Sequence, residues 1–167
     1  MGMGEEFRKL YAEKQQKYDL PSFDELNADF GIILIVDGKQ EFVGELLVAV
    51  RHKMVEAFNG WTNYLHSFYI PAPNFVVSMK EHEAMTEDDN KRLFQVIAKL
   101  SLWIKKSFKV SLNWKDESGD VDYIKNIYKE FIDIKEELNY FLDKNITTWE
   151  DIVAGKVPEK KEENHFH

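Results

Sequence analysis

The sequence predicts an all-α fold, a helical bundle of three long helices plus several short ones. Apolar residues recur every three to four positions through three long stretches, and helix start and stop signals bracket those stretches. A composition of 44% hydrophobic and 14% aromatic residues without any cysteine means that a packed core, not disulfides, must hold the chain. At 167 residues the chain reads as a single helical domain over 1–154 with a charged C-terminal tail over 155–167.

Residues 4–18 are rich in Glu, Lys, Gln and Ala, and Phe7, Leu10 and Tyr11 give them a modest apolar stripe. Ser22, with Glu25 three residues on, spells a capping box for a short helix to about Phe30. Gly31 then leads into Ile32-Ile33-Leu34-Ile35-Val36 and Asp37-Gly38. Five apolar residues before Asp-Gly leave a short β-segment at 32–36 open, as a strand entering a hairpin. The residues after the turn lack strict alternation, which favours a buried helix or extended segment instead.

From about Gln40 to Tyr69 the helical period is strong: Phe42, Leu46, Leu47, Val50, Met54, Ala57, Phe58, Trp61, Leu65 and Phe68 follow it. Gly44 and Gly60 weaken it, Gly60 as a candidate bend, and Pro71 and Pro73 stop it. A short helix is expected within 74–85. Thr86 caps the second long helix, whose first turn is acidic and whose core face is Leu93, Ile97, Leu100, Ile104 and Phe108. Asp120 is read as the cap of the third, whose apolar positions run from Val121 to Leu142. Asn145 is read as its end, and Thr148 as the start of a last short turn around Trp149 to Val153.

The absence of cysteine excludes thiolate metal sites and a cysteine nucleophile. It fits a reducing compartment, and the N-terminus has no basic-then-apolar signal region, so a cytoplasmic location is expected. The uncharged run from Ala57 to Met79 holds Asn59, Asn63, His66, Pro71, Pro73 and Asn74, polar groups too costly for lipid, so no membrane association is expected. Phosphate-binding glycine loops, His-Glu-x-x-His and Gly-x-Ser-x-Gly are all missing, and no cofactor is expected.

Two polar surfaces stand out. Glu41, Glu45, His52, Glu56, Asn59, Asn63 and His66 fall on one narrow face of the first long helix. His52 and Glu56, at i and i+4, could hold a metal jointly, and Asn59, Asn63 and His66 extend a ligand face. A solvated face of an amphipathic helix explains the same residues. The second surface lies between Asn90 and Lys115, with Lys91, Arg92, Lys99, Lys105, Lys106, Lys109 and Lys115 and no acid. A local charge of +7 in a chain of −8 leaves −15 for the remainder. Arg92, Lys99, Lys106 and Lys109 could dock an anion, with Trp103 or Trp114 stacking on a base. Internal pairing with Glu130, Asp133, Glu136 and Glu137 on the next helix is the alternative. Of those four acids Glu130 and Glu137 share a face while Asp133 and Glu136 diverge from it, so they read as solvated charge rather than a magnesium site. Phe58, Trp61, Phe68 and Tyr69 read as core rather than a binding cage. Lys80-Glu81-His82-Glu83 and the tail histidines His165 and His167 carry no specific signal.

The expected function is a non-enzymatic interaction or assembly module that binds a protein partner or self-associates. One alternative is a metal- or small-molecule-dependent enzyme using the Glu41–His66 face. Another is an RNA- or anion-binding accessory protein using the 90–115 face. Net charge makes nucleic acid a weaker partner than protein.

Overall fold

A computed structural model describes residues 3–37 and 45–156. Those residues form helices α1 (Met3–Tyr18), α2 (Phe23–Phe30), α3 (Leu34–Asp37), α4 (Leu46–Tyr69), α5 (Val76–Glu83), α6 (Glu87–Leu112) and α7 (Ser118–Val153), with no strand among them. The fold is all-α, as the periodicity predicts. Glu41, Phe42 and the segment after Asp37 fall outside the described residues, as does nearly all of the tail from Val157 on.

Local chemistry sets the helix starts. At α2 the Ser22 hydroxyl accepts from the Glu25 amide at 3.2 Å and the Glu25 carboxylate accepts from the Ser22 amide at 2.7 Å. At α6 Thr86 and Asp89 make the same reciprocal pair at 3.1 and 2.8 Å. Gly31 closes α2 in the left-handed region at φ 62°, where a side chain would be strained. The Asn27 side chain accepts from Ile33 N at 2.9 Å, and Leu34 N and Ile35 N donate back to Gly31 and Ile32 carbonyls. Those bonds wind the apolar run at 32–36 into turns and the single helical turn α3. The short strand left open by the sequence is not formed.

Cross-links show how the long helices run. Arg51, near the start of α4, meets Ser107, near the end of α6, so α4 and α6 are antiparallel. Arg92 meets Glu137 and Trp103 meets Glu130, so α6 and α7 are antiparallel too. Arg51 meets Asp120 and Tyr64 meets Asn145, so α4 and α7 run parallel. Between them lies an aromatic centre. Phe58 sits with ring centroids 5.2 Å from Trp103, 5.6 Å from Phe30 and 5.8 Å from Phe131. Burying each such ring stabilises by roughly 1.5–3 kcal/mol, most of it offset by chain ordering.

Three expectations about α7 and α6 are corrected. Asp120 does not cap α7, which begins at Ser118; Asp120 is fully buried and paired with Arg51 instead. Asn145 does not end it: α7 is one helix of 36 residues, and Asn145 is buried with its amide donating to the Tyr64 hydroxyl at 2.9 Å. Phe108 is not core but 64% exposed. Successive steps of four each drift by about 40° against the 3.6-residue turn, and by Phe108 the drift has carried the ring off the core face.

Gly60 introduces no break in α4, and a Cβ added there meets nothing within 4 Å. Gly60→Ala is therefore expected to raise stability by about 0.5–1 kcal/mol in urea unfolding, through lower entropy of the unfolded chain.

Candidate interaction surfaces and pockets

On α4, His52, Glu56, Asn59, Asn63 and His66 all face solvent, and no neighbouring helix covers them among the described residues. Glu56 is held by Lys53 at 2.7 Å. Partial burial, together with the adjacent Arg51 cation, lowers the His52 pKa against an opposing pull from Asp120, so the imidazole is neutral at neutral pH. No cluster of three or more His, Asp or Glu suited to a metal occurs among the described residues. The stripe is thus an open polar face, and Glu45, at its start, is exposed as well.

The basic residues of α6 divide into two sets. Arg92 forms a bidentate pair with Glu137, at 3.1 and 3.0 Å, and stacks 4.3 Å from the Tyr140 ring centroid. Lys106 lies 4.0 Å from Glu130, and Lys91 pairs with Glu87 in its own helix. Lys99, Lys105, Lys109 and Lys115 have no ion-pair partner among the described residues. Trp103 is not on this surface. It is 0% exposed and donates its indole N–H to Glu130 at 2.9 Å, because the side of α6 on which it lies is covered by α7. Stacking on a ligand therefore falls to Trp114 alone, which is 44% exposed.

The outward face of α6 is also apolar. Phe94, Leu102, Phe108 and Leu112 are 54%, 50%, 64% and 85% exposed. At 100° per residue Phe94, Ala98, Ser101, Lys105, Phe108 and Leu112 fall within about 80° of one another, with Lys91, Leu102 and Lys109 alongside. A second stripe runs along α7: Ile132, Glu136, Asn139, Asp143, Ile146 and Glu150, all exposed and spanning a similar arc. It carries three acids and no base, and no ion pair ties up Glu136, Asp143 or Glu150 among the described residues.

Two polar centres lie inside the bundle. Arg51, 1% exposed, donates Nε to Asp120 Oδ1 at 2.6 Å and Nη1 to Ser107 Oγ and the Ser107 carbonyl at 2.6 and 3.1 Å. One centre thus joins α4, α6 and α7. Its sequence signal is an arginine on the core side of α4, flanked by Val50 and Met54. At the other end, buried Asp89 accepts from the Thr86 amide, the Tyr140 hydroxyl and Lys144. Burial alone would raise the Asp89 pKa, but the bonds from Lys144, Tyr140 and Thr86 together outweigh it and hold the carboxyl well below the usual range. Its contribution to stability is therefore complete above the unfolded value of about 3.9 and is lost as pH falls through the folded value. Asp89→Asn is expected to cost about 1–3 kcal/mol at pH 7. It should also flatten the fall in urea midpoint between pH 5 and pH 2, and an unchanged acid slope would contradict this assignment.

Two hollows open at the surface. One, of about 520 Å³, lies where α6 turns into α7 and is lined by Lys106, Lys109, Trp114, Lys115, Asp116 and Asp122 among others. The other, also about 520 Å³, lies between α4, α5 and the last turns of α7 and is lined by Tyr64, Glu81, Asn145, Ile146, Trp149, Glu150, Val153 and Ala154. The sequence singled out Glu81 only within an unremarkable tetrapeptide and read Asn145 as a helix end. No helix of the described residues is long and apolar enough to cross a membrane. No protein-family model, curated protein or solved structure matches the chain.

Proposed function

We propose that the chain is a self-assembly module in which the α6 stripe of one copy docks on the α7 stripe of another. The observation that supports this reading is complementarity between two exposed faces of similar width. One is apolar with unpaired lysines, Lys105 and Lys109. The other carries two exposed isoleucines, Ile132 and Ile146, among unpaired acids, Glu136, Asp143 and Glu150. Packing α6 against its own copy would set lysine against lysine, which is repulsive, so the contact is heterologous. Burial of Phe108, Leu112, Ile132 and Ile146 supplies the driving force, and the charges set partner and register.

The test is a pair of charge reversals, K105E with K109E on α6 and E136K with D143K on α7. Light scattering of the unmodified chain should show mass rising with concentration and falling with salt. Each variant alone should associate at least about tenfold more weakly, a loss of about 1.4 kcal/mol. Mixing the two variants should restore association. A strictly monomeric chain at several hundred micromolar, or no rescue on mixing, rejects the reading.

A second reading is supported by the hollow at the α6–α7 turn, where Lys106, Lys109 and Lys115 surround the partly exposed Trp114 ring. It is a site for an anion with a planar ring, such as a nucleotide unit of single-stranded RNA. Asp116 and Asp122 in the same lining oppose it. Short RNA binding that weakens steeply with salt and is lost in Trp114→Ala would favour this reading over assembly.

A further inference from the structure

We infer that the hollow between α4, α5 and the end of α7 is a binding site for a small apolar amine in its ammonium form. The lining is mainly hydrocarbon, from Ile146, Val153, Ala154 and the Trp149 ring. Set into it are polar atoms that are not fully used. Glu81 is 7% exposed, and its Oε1 accepts from the Trp149 indole N–H at 3.1 Å. Its other oxygen has no partner among the described residues. Asn145 is 3% exposed; its amide donates to Tyr64, and its Oδ1 is buried without any partner. A buried acceptor left unsatisfied costs about 1–3 kcal/mol, so Asn145 Oδ1 favours a donor brought from outside, and the second Glu81 oxygen, open to the hollow, is free to accept one as well.

The requirements converge on one chemistry. Both open positions are acceptors, which calls for a ligand that donates. Glu81 and Glu150 are the charged groups of the lining, and no Lys, Arg or His is among them, so a cation is favoured and an anion repelled. An ammonium nitrogen has three donors and no acceptor, which suits a hollow lined by both a carboxylate and an amide oxygen. The hydrocarbon walls and the Trp149 face suit an alkyl or aryl body, the ring adding attraction for the cation. Burial, with a contribution from Glu81 and against the Asn145 bond, raises the Tyr64 pKa, so its hydroxyl keeps its proton and adds no negative charge. This site shares no residue with the stripes of α6 or with Ile132, Glu136 and Asp143. Ile146 and Glu150 are common to the hollow and the α7 stripe, so amine binding should also compete with self-association if both proposals hold.

Calorimetric titration of the full chain with phenethylammonium tests the site, with 3-phenylpropanoate as the anionic isostere. The amine should saturate with Kd below about 1 mM, and the carboxylate should bind at least about tenfold more weakly. Glu81→Gln keeps an acceptor for Trp149 but removes the charge, and should weaken the amine at least about tenfold. Ile146→Trp, at a position 52% exposed and tolerant of bulk, should fill the hollow and abolish binding. Thermal melts establish that each variant folds; should Glu81→Gln fail, Ile146→Trp alone decides. No saturable amine binding, equal affinity for the carboxylate, or binding unchanged in the folded variants would overturn the site. Scattering by the unliganded chain reports on self-assembly independently of any of these results.

Discussion

Replacing Asp120 by alanine is expected to destabilise the protein by about 3–5 kcal/mol, seen as a large drop in the urea midpoint without loss of helical content at low denaturant. The reason lies with Arg51 rather than with the bond itself. The guanidinium is 1% exposed, and Asp120 is the carboxylate paired with it among the described residues. Without Asp120 it becomes a buried charge whose remaining hydrogen-bond partner among the described residues is Ser107. The pair need not be strongly stabilising for its breakage to be costly. Asp120 Oδ2 is itself buried without a hydrogen bond among the described residues, so the centre is incompletely satisfied there even when intact. Replacing both partners by apolar residues, Arg51→Met with Asp120→Leu, is accordingly expected to recover most of the loss. A double variant as unstable as Asp120→Ala would show that packing around the pair, not its charge, dominates.

Trp103→Ala is expected to cost a similar amount, about 3–5 kcal/mol. The indole is 0% exposed and fills the space between Phe58 and α7, and its N–H is held by Glu130. Trp103→Phe separates the two contributions. It keeps an aromatic ring beside Phe58 but deletes the N–H held by Glu130. Because Glu130 is about half exposed and can turn to water, the phenylalanine variant should lose only about 1–2 kcal/mol. Equal losses in both variants, measured by the same unfolding, would mean that the hydrogen bond outweighs the packing.

What the sequence made legible was local. Ser22-x-x-Glu25 and Thr86-x-x-Asp89 announce helix starts because the cap and its partner lie within one turn, and both form. The core side of α4 and most of α7 could be read from spacing because their buried residues recur every three to four positions on the inward side. Misreadings came where a distant element decides. Asp120 and Asn145 are good terminators by type, yet each is buried and bonded to α4, which overrides the local preference. Trp103 looked like part of a basic row until α7 covered it. The α4 stripe was recognised as polar, but only packing could show that nothing encloses it. Glu81, Trp149 and Tyr64 are far apart in the chain, and no spacing rule joins them.

Helix α7 is about 54 Å long at 1.5 Å per residue. Just ahead of its first turn Glu117 meets Lys14 and Tyr18 of α1, and within it Lys135 meets Asp29 of α2. Asp120 meets α4, Trp149 meets α5, and Glu137 meets α6. It serves as a keel to which these five ribs are fastened one after another, while the single turn α3 rests on α1 and α4. No rib can let go without tugging on the keel, and a fracture of the keel loosens every rib. The hull is thereby built to founder whole, in one concerted collapse, rather than to shed its timbers piece by piece.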